Sequence, residues 1–249
     1  MRAILTYHSI DDSGSPISVT PAVFRDQVRW LAEGSVRVLS LEELVSSSPE
    51  DDAVALTFDD GFVNFGTVAA PLLEEHGLPA TLFVVANYVG KDNQWNGNKV
   101  PGIPVLPLLD WAALGRCAEA GVDIGGHTLN HLNLCQLPAA RMREELADAA
   151  ATITSETGRP PRSVAYPYGA HTPEVARMAQ DTYRLGVTTE LRALDHADDP
   201  LRLPRLDMYY FRAHGRLESW GTRRFDRRLW IRRQARRLRQ TLAAQGGVR

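Results

Sequence analysis

The chain predicts an α/β fold in which parallel strands close into an irregular barrel. Seven short apolar runs alternate with helical patterns along most of its length, and four of those patterns end at a glycine. Repeated strand-then-helix units imply a parallel sheet, because each helix carries the chain back to the same end of the sheet. At 249 residues and 44% hydrophobic, the chain can bury one substantial core, and a barrel of this length is commonly a single domain.

The first strand is expected at residues 3–5, followed by a helix over 21–33 that Gly34 closes. Strands at 36–39 and 54–58 come next, the second running straight into Asp59-Asp60-Gly61. The helical pattern at 63–76 contains Pro71, which lacks an N–H and must kink the helix or restart it. Gly77 ends that pattern. Strands at 81–85, 122–124, 164–166 and 186–188 then alternate with helices at 110–120, 139–157 and 173–182, with Gly121 and Gly158 as further C-caps. The segment 87–109 reads as a long loop containing Trp95, Asn96 and three prolines, a length at which loops often act as lids.

Charge divides the chain into a body at 1–220 and a basic tail at 221–249. The tail holds ten Arg against one Asp, so the net charge of −2 conceals an acidic body. Phe225, Leu229, Trp230 and Leu238 interleave with the arginines, which suits an amphipathic helix. Such a helix either packs one face on the barrel or docks on an anionic membrane or a protein partner. Nucleic acid is excluded as a partner, because the acidic body repels phosphate. The N-terminal apolar run is too short for a signal peptide, and no stretch approaches the roughly 20 apolar residues of a membrane span. A cytoplasmic protein, with the inner face of the membrane as a second location, is therefore expected. Cys117 and Cys135 lack metal-type spacing and are expected to be free thiols.

Two segments carry the chemistry: Asp59-Asp60 at a strand end, and His127-Thr-Leu-Asn-His131 after a later strand. Together they offer one carboxylate and two imidazoles for a divalent metal and leave a second carboxylate beside it as a base. That is the kit for metal-assisted hydrolysis, in which bound water drops in pKa to roughly 7. Histidines four apart share one side of a helical turn, so a helical turn is expected at 127–131. Adjacent residues of a strand point to opposite faces, so both aspartates reach one site only if the strand ends there, and Gly61 supplies that end. Either motif alone is more often a turn or a solvated helix face; both following predicted buried strands is far more specific.

Thr57-Phe-Asp-Asp-Gly61, His127-Thr-Leu-Asn-His131 and Ala165-Tyr-Pro-Tyr-Gly169, in that order, resemble the first three motifs of the polysaccharide deacetylases. These are the proteins of NodB homology, or carbohydrate esterase family 4. The resemblance implies a distorted (β/α)7 barrel and a metal-dependent hydrolase removing an N-acetyl group from an N-acetylated sugar or glycan. It assigns Asp60, His127 and His131 to the metal, Asp59 to the base and the Tyr168 backbone N–H to the oxyanion. Zinc suits two His and one carboxylate, although cobalt, nickel and ferrous iron accept the same set. The usual Leu-x-His motif for the acid is absent after Leu203-Pro-Arg205. His8, just beyond the first strand, would fill that place, as in the branch that deacetylates poly-N-acetylglucosamine, and His214 is its rival. Arg205 is expected either to orient Asp59 or to cap a strand. Trp95 either stacks on a sugar ring or packs at the barrel mouth. Three other readings remain: a deformylase or deacetylase of a lipid-linked or small aminosugar, an O-acetyl esterase, and an inactive carbohydrate-binding scaffold. The intact Asp59, Asp60, His127, His131 set speaks against the last.

Overall fold

The computed structural model describes residues 1–34 and 36–246, with side chains placed through 236. The chain begins with β1 (Arg2–Tyr7), two short strands β2 (Ser9–Ile10) and β3 (Ser18–Val19), α1 (Pro21–Glu33), β4 (Arg37–Val38) and α2 (Leu41–Ser46). β5 (Ala53–Phe58) follows, then α3 (Ala70–Glu75), β6 (Ala80–Val84), α4 (Trp111–Glu119), β7 (Asp123–Gly126) and α5 (Ala139–Thr157). The last elements are β8 (Ser163–Ala165), α6 (Pro173–Ala179), β9 (Leu185–Val187), β10 (Leu206–Asp207) and α7 (Arg223–Gly246).

The main sheet runs in the order β10-β1-β5-β6-β7-β8-β9, and every pair in it is parallel. A parallel bridge between Val187 and Leu203 joins the two ends, with the Thr188 N–H donating to the Leu203 carbonyl at 2.8 Å. The result is the expected barrel, distorted because it closes through one short segment. Its seventh strand is not the expected one. β4 pairs only with the first two residues of β5, and β10 takes the remaining place in the ring. Two residues that include an Asp carry no apolar signal, so this strand is set by its neighbours and not by its own pattern.

β1, β5 and β6 are buried at every position, as expected of parallel strands covered on both faces. Tyr7, Phe24, Phe58 and Phe65 form one aromatic cluster with ring centroids 4.8–5.9 Å apart. Pro71 restarts its helix as expected: a π-helical turn at Phe65–Ala69 gives way to α3, with Pro71 in its first turn. α2 was not legible as a helix, although Ser40 and Glu43 close a capping box around its start. Gly158 ends α5 in the left-handed conformation (φ 70°), whereas Gly34 ends α1 in extended backbone.

The tail is partly built into the body. Phe225 is fully buried, with its ring 5.3 Å from both Phe211 and Trp220. Farther along α7, Trp230 and Ile231 are exposed, while Leu238 lies outside the residues whose side chains are described. Among the described residues no helix is long and apolar enough to cross a membrane.

Candidate active site and metal centre

The barrel gathers the candidate residues at the carboxyl ends of its strands. β1 delivers His8, β5 delivers Asp59 and Asp60, and β7 delivers His127. β5 ends at Phe58, the Asp59 N–H donates to the Tyr7 carbonyl at 3.0 Å, and the chain then turns with φ of 74° at Asp60 and 81° at Gly61. This left-handed pair brings adjacent aspartates into one site, as the strand-end argument requires.

His127 and His131 meet without a helix, which corrects the expected helical turn. The segment is a tight loop with φ of 65° at Thr128 and 57° at His131, and the Thr128 Oγ1 accepts the His131 N–H at 3.0 Å. Glu145 of α5, fully buried, accepts from the Asn130 N–H and side-chain amide at 2.8 and 2.7 Å and so anchors the loop. A carboxylate on the apolar stripe of α5, between Met142 and Leu146, was the signal the sequence offered for it. Four of the five non-glycine residues with left-handed backbone among those described are Asp60, Thr128, His131 and Tyr168. Each such residue costs on the order of 1–3 kcal/mol, so backbone strain is concentrated here.

The Nε2 atoms of His127 and His131 lie 3.4 and 3.5 Å from Asp60 Oδ1. The ligand atoms of this trio all fall within 4.8 Å of one another, and Asp60 Oδ1 is buried without a hydrogen-bond partner. The His127 Nδ1 lies 2.7 Å from the Ala165 carbonyl; a carbonyl only accepts, so Nδ1 carries a proton and Nε2 is the atom turned to Asp60. Burial alone would lower the His127 pKa, but the contact with Asp60 and the charges of Asp59 and Asp60 outweigh it and raise it. Burial, with the neighbouring His127, pushes the His131 pKa down to about 3, leaving that ring neutral. Both rings turn Nε2 toward a carboxylate oxygen that has no hydrogen-bond partner among the described residues, a set that fits a divalent cation displacing the His127 Nε2 proton.

Asp59 is held apart from this trio. Arg205, itself buried, donates from Nη1 and Nη2 to its two oxygens at 2.7 Å each. Arg205 is fixed in turn by Nε donating to the Thr188 carbonyl at 2.9 Å and by Nη1 donating to Thr57 Oγ1 at 3.3 Å. Burial alone would raise the Asp59 pKa, but the Arg205 charge and hydrogen bonds outweigh it and hold the carboxylate far below its usual range. Arg205 thus stands where it can orient Asp59. His8 Nε2 stands 3.7 Å from Asp59 Oδ2 on the partly open side. His214 is 95% exposed and paired with Glu218.

Trp95 is buried, with one ring face stacked on His131 at 4.5 Å and a T-shaped contact with Tyr88 at 5.0 Å. Packing therefore occupies one face of the ring. The loop 87–109 is shorter in free length than expected, because Asp92 bridges to Pro107 and Phe62 to Leu108. Tyr168 is 60% exposed, with its ring 4.8 Å from His131. Together with Asn96, Asn98, Asn133 and Gln136, Trp95 and Tyr168 line a groove of about 460 Å³ beside His131.

The chain was compared with known proteins. Residues 46–188 match the profile of the polysaccharide deacetylase family, leaving His8 and Arg205 outside the matched stretch. YxkH of Bacillus subtilis strain 168, named as a candidate polysaccharide deacetylase, is 28% identical over 75% of this chain, which spans 64% of the YxkH length. The poly-β-1,6-N-acetyl-D-glucosamine N-deacetylase of Staphylococcus epidermidis is 24% identical over 76% of this chain and 67% of its own. Two solved structures share the fold. The Streptococcus pyogenes deacetylase PplD has a TM-score of 0.70 at 24% identity, covering 82% of this chain and 91% of its own. IcaB from Ammonifex degensii has 0.69 at 24% identity, covering 82% and 90%. Since the family profile covers more than half of the sequence, the chain belongs to the polysaccharide deacetylase family.

Proposed function

We propose that the protein is a metal-dependent hydrolase that removes an N-acetyl group from an N-acetylated sugar or glycan. The observation that carries this reading is the placement of Asp59, ionised by Arg205, beside an Asp60-His127-His131 trio able to hold one cation. A divalent ion there, zinc first with cobalt, nickel or ferrous iron as alternatives, supplies Lewis acidity toward the amide carbonyl and toward water. Asp59 accepts the proton of the attacking water. Its two bonds to Arg205 fix the carboxylate plane, so no reorientation is needed at that moment. His8, on the open side of Asp59, hands a proton to the departing amine. The Tyr168 backbone N–H, in a left-handed turn beside the trio, is the donor to the oxyanion in this reading. Trp95 supports His131 through its stacked face, and the amide side chains of the adjoining groove suit sugar hydroxyls.

Metal-reconstituted protein incubated with N-acetylglucosamine oligomers should release acetate, and Asp59→Asn should lower the rate by about 10²–10⁴, the usual worth of a general base. Undiminished release by the variant would refute the reading.

The tail supports a second reading, of location. Trp230 and Ile231 are exposed on an arginine-rich helix anchored by Phe225, a combination suited to an anionic membrane surface. Co-sedimentation with vesicles containing phosphatidylserine should fall on Trp230→Ala/Ile231→Ala substitution; equal recovery of both proteins would remove the membrane.

A further inference from the structure

A second pocket adjoins the groove on the far side of Tyr168. It is a cavity of about 280 Å³ lined by Gly169, His171, Thr189, Glu190, Leu191, Arg233 and Arg236. Its wall is continuous with the site: Gly169 follows Tyr168, and the Thr189 hydroxyl donates to the Tyr168 carbonyl. A Cβ on Gly169 would fall 2.0 Å from Thr189 Oγ1, so the two loops are in direct contact. From the other side, the Arg205 N–H donates to the Glu190 carbonyl at 3.0 Å, tying the pocket to the residue that clamps Asp59.

The charge of the pocket is unbalanced. Glu190 is the carboxylate in the pocket lining, and it is shared: Arg233 Nη2 lies 3.3 Å and Arg192 Nε 3.1 Å from its Oε1, while Arg236 also feels the charge of partly buried Asp207. Among the described residues the buried Arg233 Nε has no hydrogen-bond partner. A buried guanidinium N–H without an acceptor is costly, and an anion would supply one. The volume is at the lower end for ligand pockets, room for one group and not for a whole ligand. On its outer side the pocket shares Leu191 with a mainly apolar groove of about 300 Å³ lined by Tyr210, Phe211, Leu229 and Ile231 together with Arg216, Arg228 and Arg232.

We propose that this pocket is a subsite for a phosphate group carried by the N-acylated sugar, held by Arg233 and Arg236 while the acetamide faces Asp59. The placing of the sugar rests on the deacetylase reading above. A phosphate suits the site because guanidinium forks bind its oxygens in pairs. The phosphate belongs either to a free sugar phosphate or to a sugar linked through phosphate to a lipid, whose first carbons would enter the apolar groove.

Calorimetric titration of the metal-loaded protein with glucosamine 1-phosphate and with methyl glucosaminide, neither of which has an acetyl group to lose, tests the subsite. The phosphate ligand should bind at least tenfold more tightly. The double substitution Arg233→Gln/Arg236→Gln should bring the ratio close to one, and Arg233→Lys/Arg236→Lys should retain part of it, which separates charge from damage to the helix. An undetectable phosphate complex, a ratio near one in the unaltered protein, or a ratio unchanged in the Gln variant would each overturn the proposal. An octyl-phosphate-linked glucosamine binding more tightly than the free sugar phosphate assigns the lipid source, and equal binding assigns the free one. Acetate release from N-acetylglucosamine oligomers and from N-acetylglucosamine 1-phosphate, measured in parallel, reads the deacetylase chemistry independently. Release with a flat ratio sinks only the subsite, and a phosphate preference without release from either the oligomers or N-acetylglucosamine 1-phosphate sinks only the deacetylase.

Discussion

Replacing Arg205 by Met would strand a buried carboxylate, and the cost of breaking such a pair is about 3–5 kcal/mol. The denaturation midpoint of Arg205→Met should fall accordingly, with Arg205→Lys intermediate, because one ammonium cannot reproduce two parallel bonds. The pH dependence follows from the same contact. The folded pKa of Asp59 lies below its unfolded value of about 3.9, so the pair contributes stability that is complete above that value and is lost as pH falls through the folded pKa. Arg205→Met should therefore narrow the difference in stability between pH 6 and pH 3, and an equal difference in both proteins would show that Asp59 is not the group responsible. His8→Gln should lower kcat by about 10²–10⁴ with a smaller effect on KM, while His214→Ala should leave both alone; the opposite ranking would transfer the acid to His214. The metal trio, Asp59 and His8 were legible in sequence because short motifs place chemistry-bearing types at strand ends. The role of Glu145 was not: its place on the apolar stripe of α5 marks it as unusual, but Asn130, whose N–H and side-chain amide it accepts from, is brought to it only by the fold.

At the scale of elements, the strands and long helices were legible because burial and periodicity are local properties. The loop at 127–131 was not: four-residue spacing has the same form in a helical turn and in a turn built from two left-handed residues. β10 escaped for the opposite reason, being two residues whose only qualification is the edge of β1. β9 offers a direct test of how tightly this end of the barrel is fitted. A Cβ on Gly186 would lie 2.6 Å from the Leu201 carbonyl and 2.5 Å from the Tyr166 hydroxyl. Gly186→Ala should cost about 1–3 kcal/mol as overpacking, seen as a melting temperature lower by several degrees, and an unchanged melt would mean that the 199–203 segment yields freely. Phe225→Ala empties a site between Phe211 and Trp220 and should cost about 3–5 kcal/mol. Proteolysis should then release α7 first; its survival would show that the arginine contacts alone hold it.

For the molecule as a whole, a ligand that binds only the folded state adds stability by mass action, about 2.7 kcal/mol at a hundredfold excess over Kd. Zinc should raise the melting temperature of the unaltered protein by several degrees, and chelation should reverse this. His127→Ala/His131→Ala should show no zinc-dependent shift; a shift of the same size would place the ion elsewhere. The barrel closes where the Leu203 segment meets β9 and β10 meets β1, and this closure has a consequence for the growing chain. The three candidate ligands lie between residues 60 and 131, their supports Glu145 and Ala165 follow, and the guanidinium that readies Asp59 arrives 146 positions after it. The Arg205–Asp59 pair forms only when the final stave lies beside the first, so that completion of the fold sets the charge state of the site.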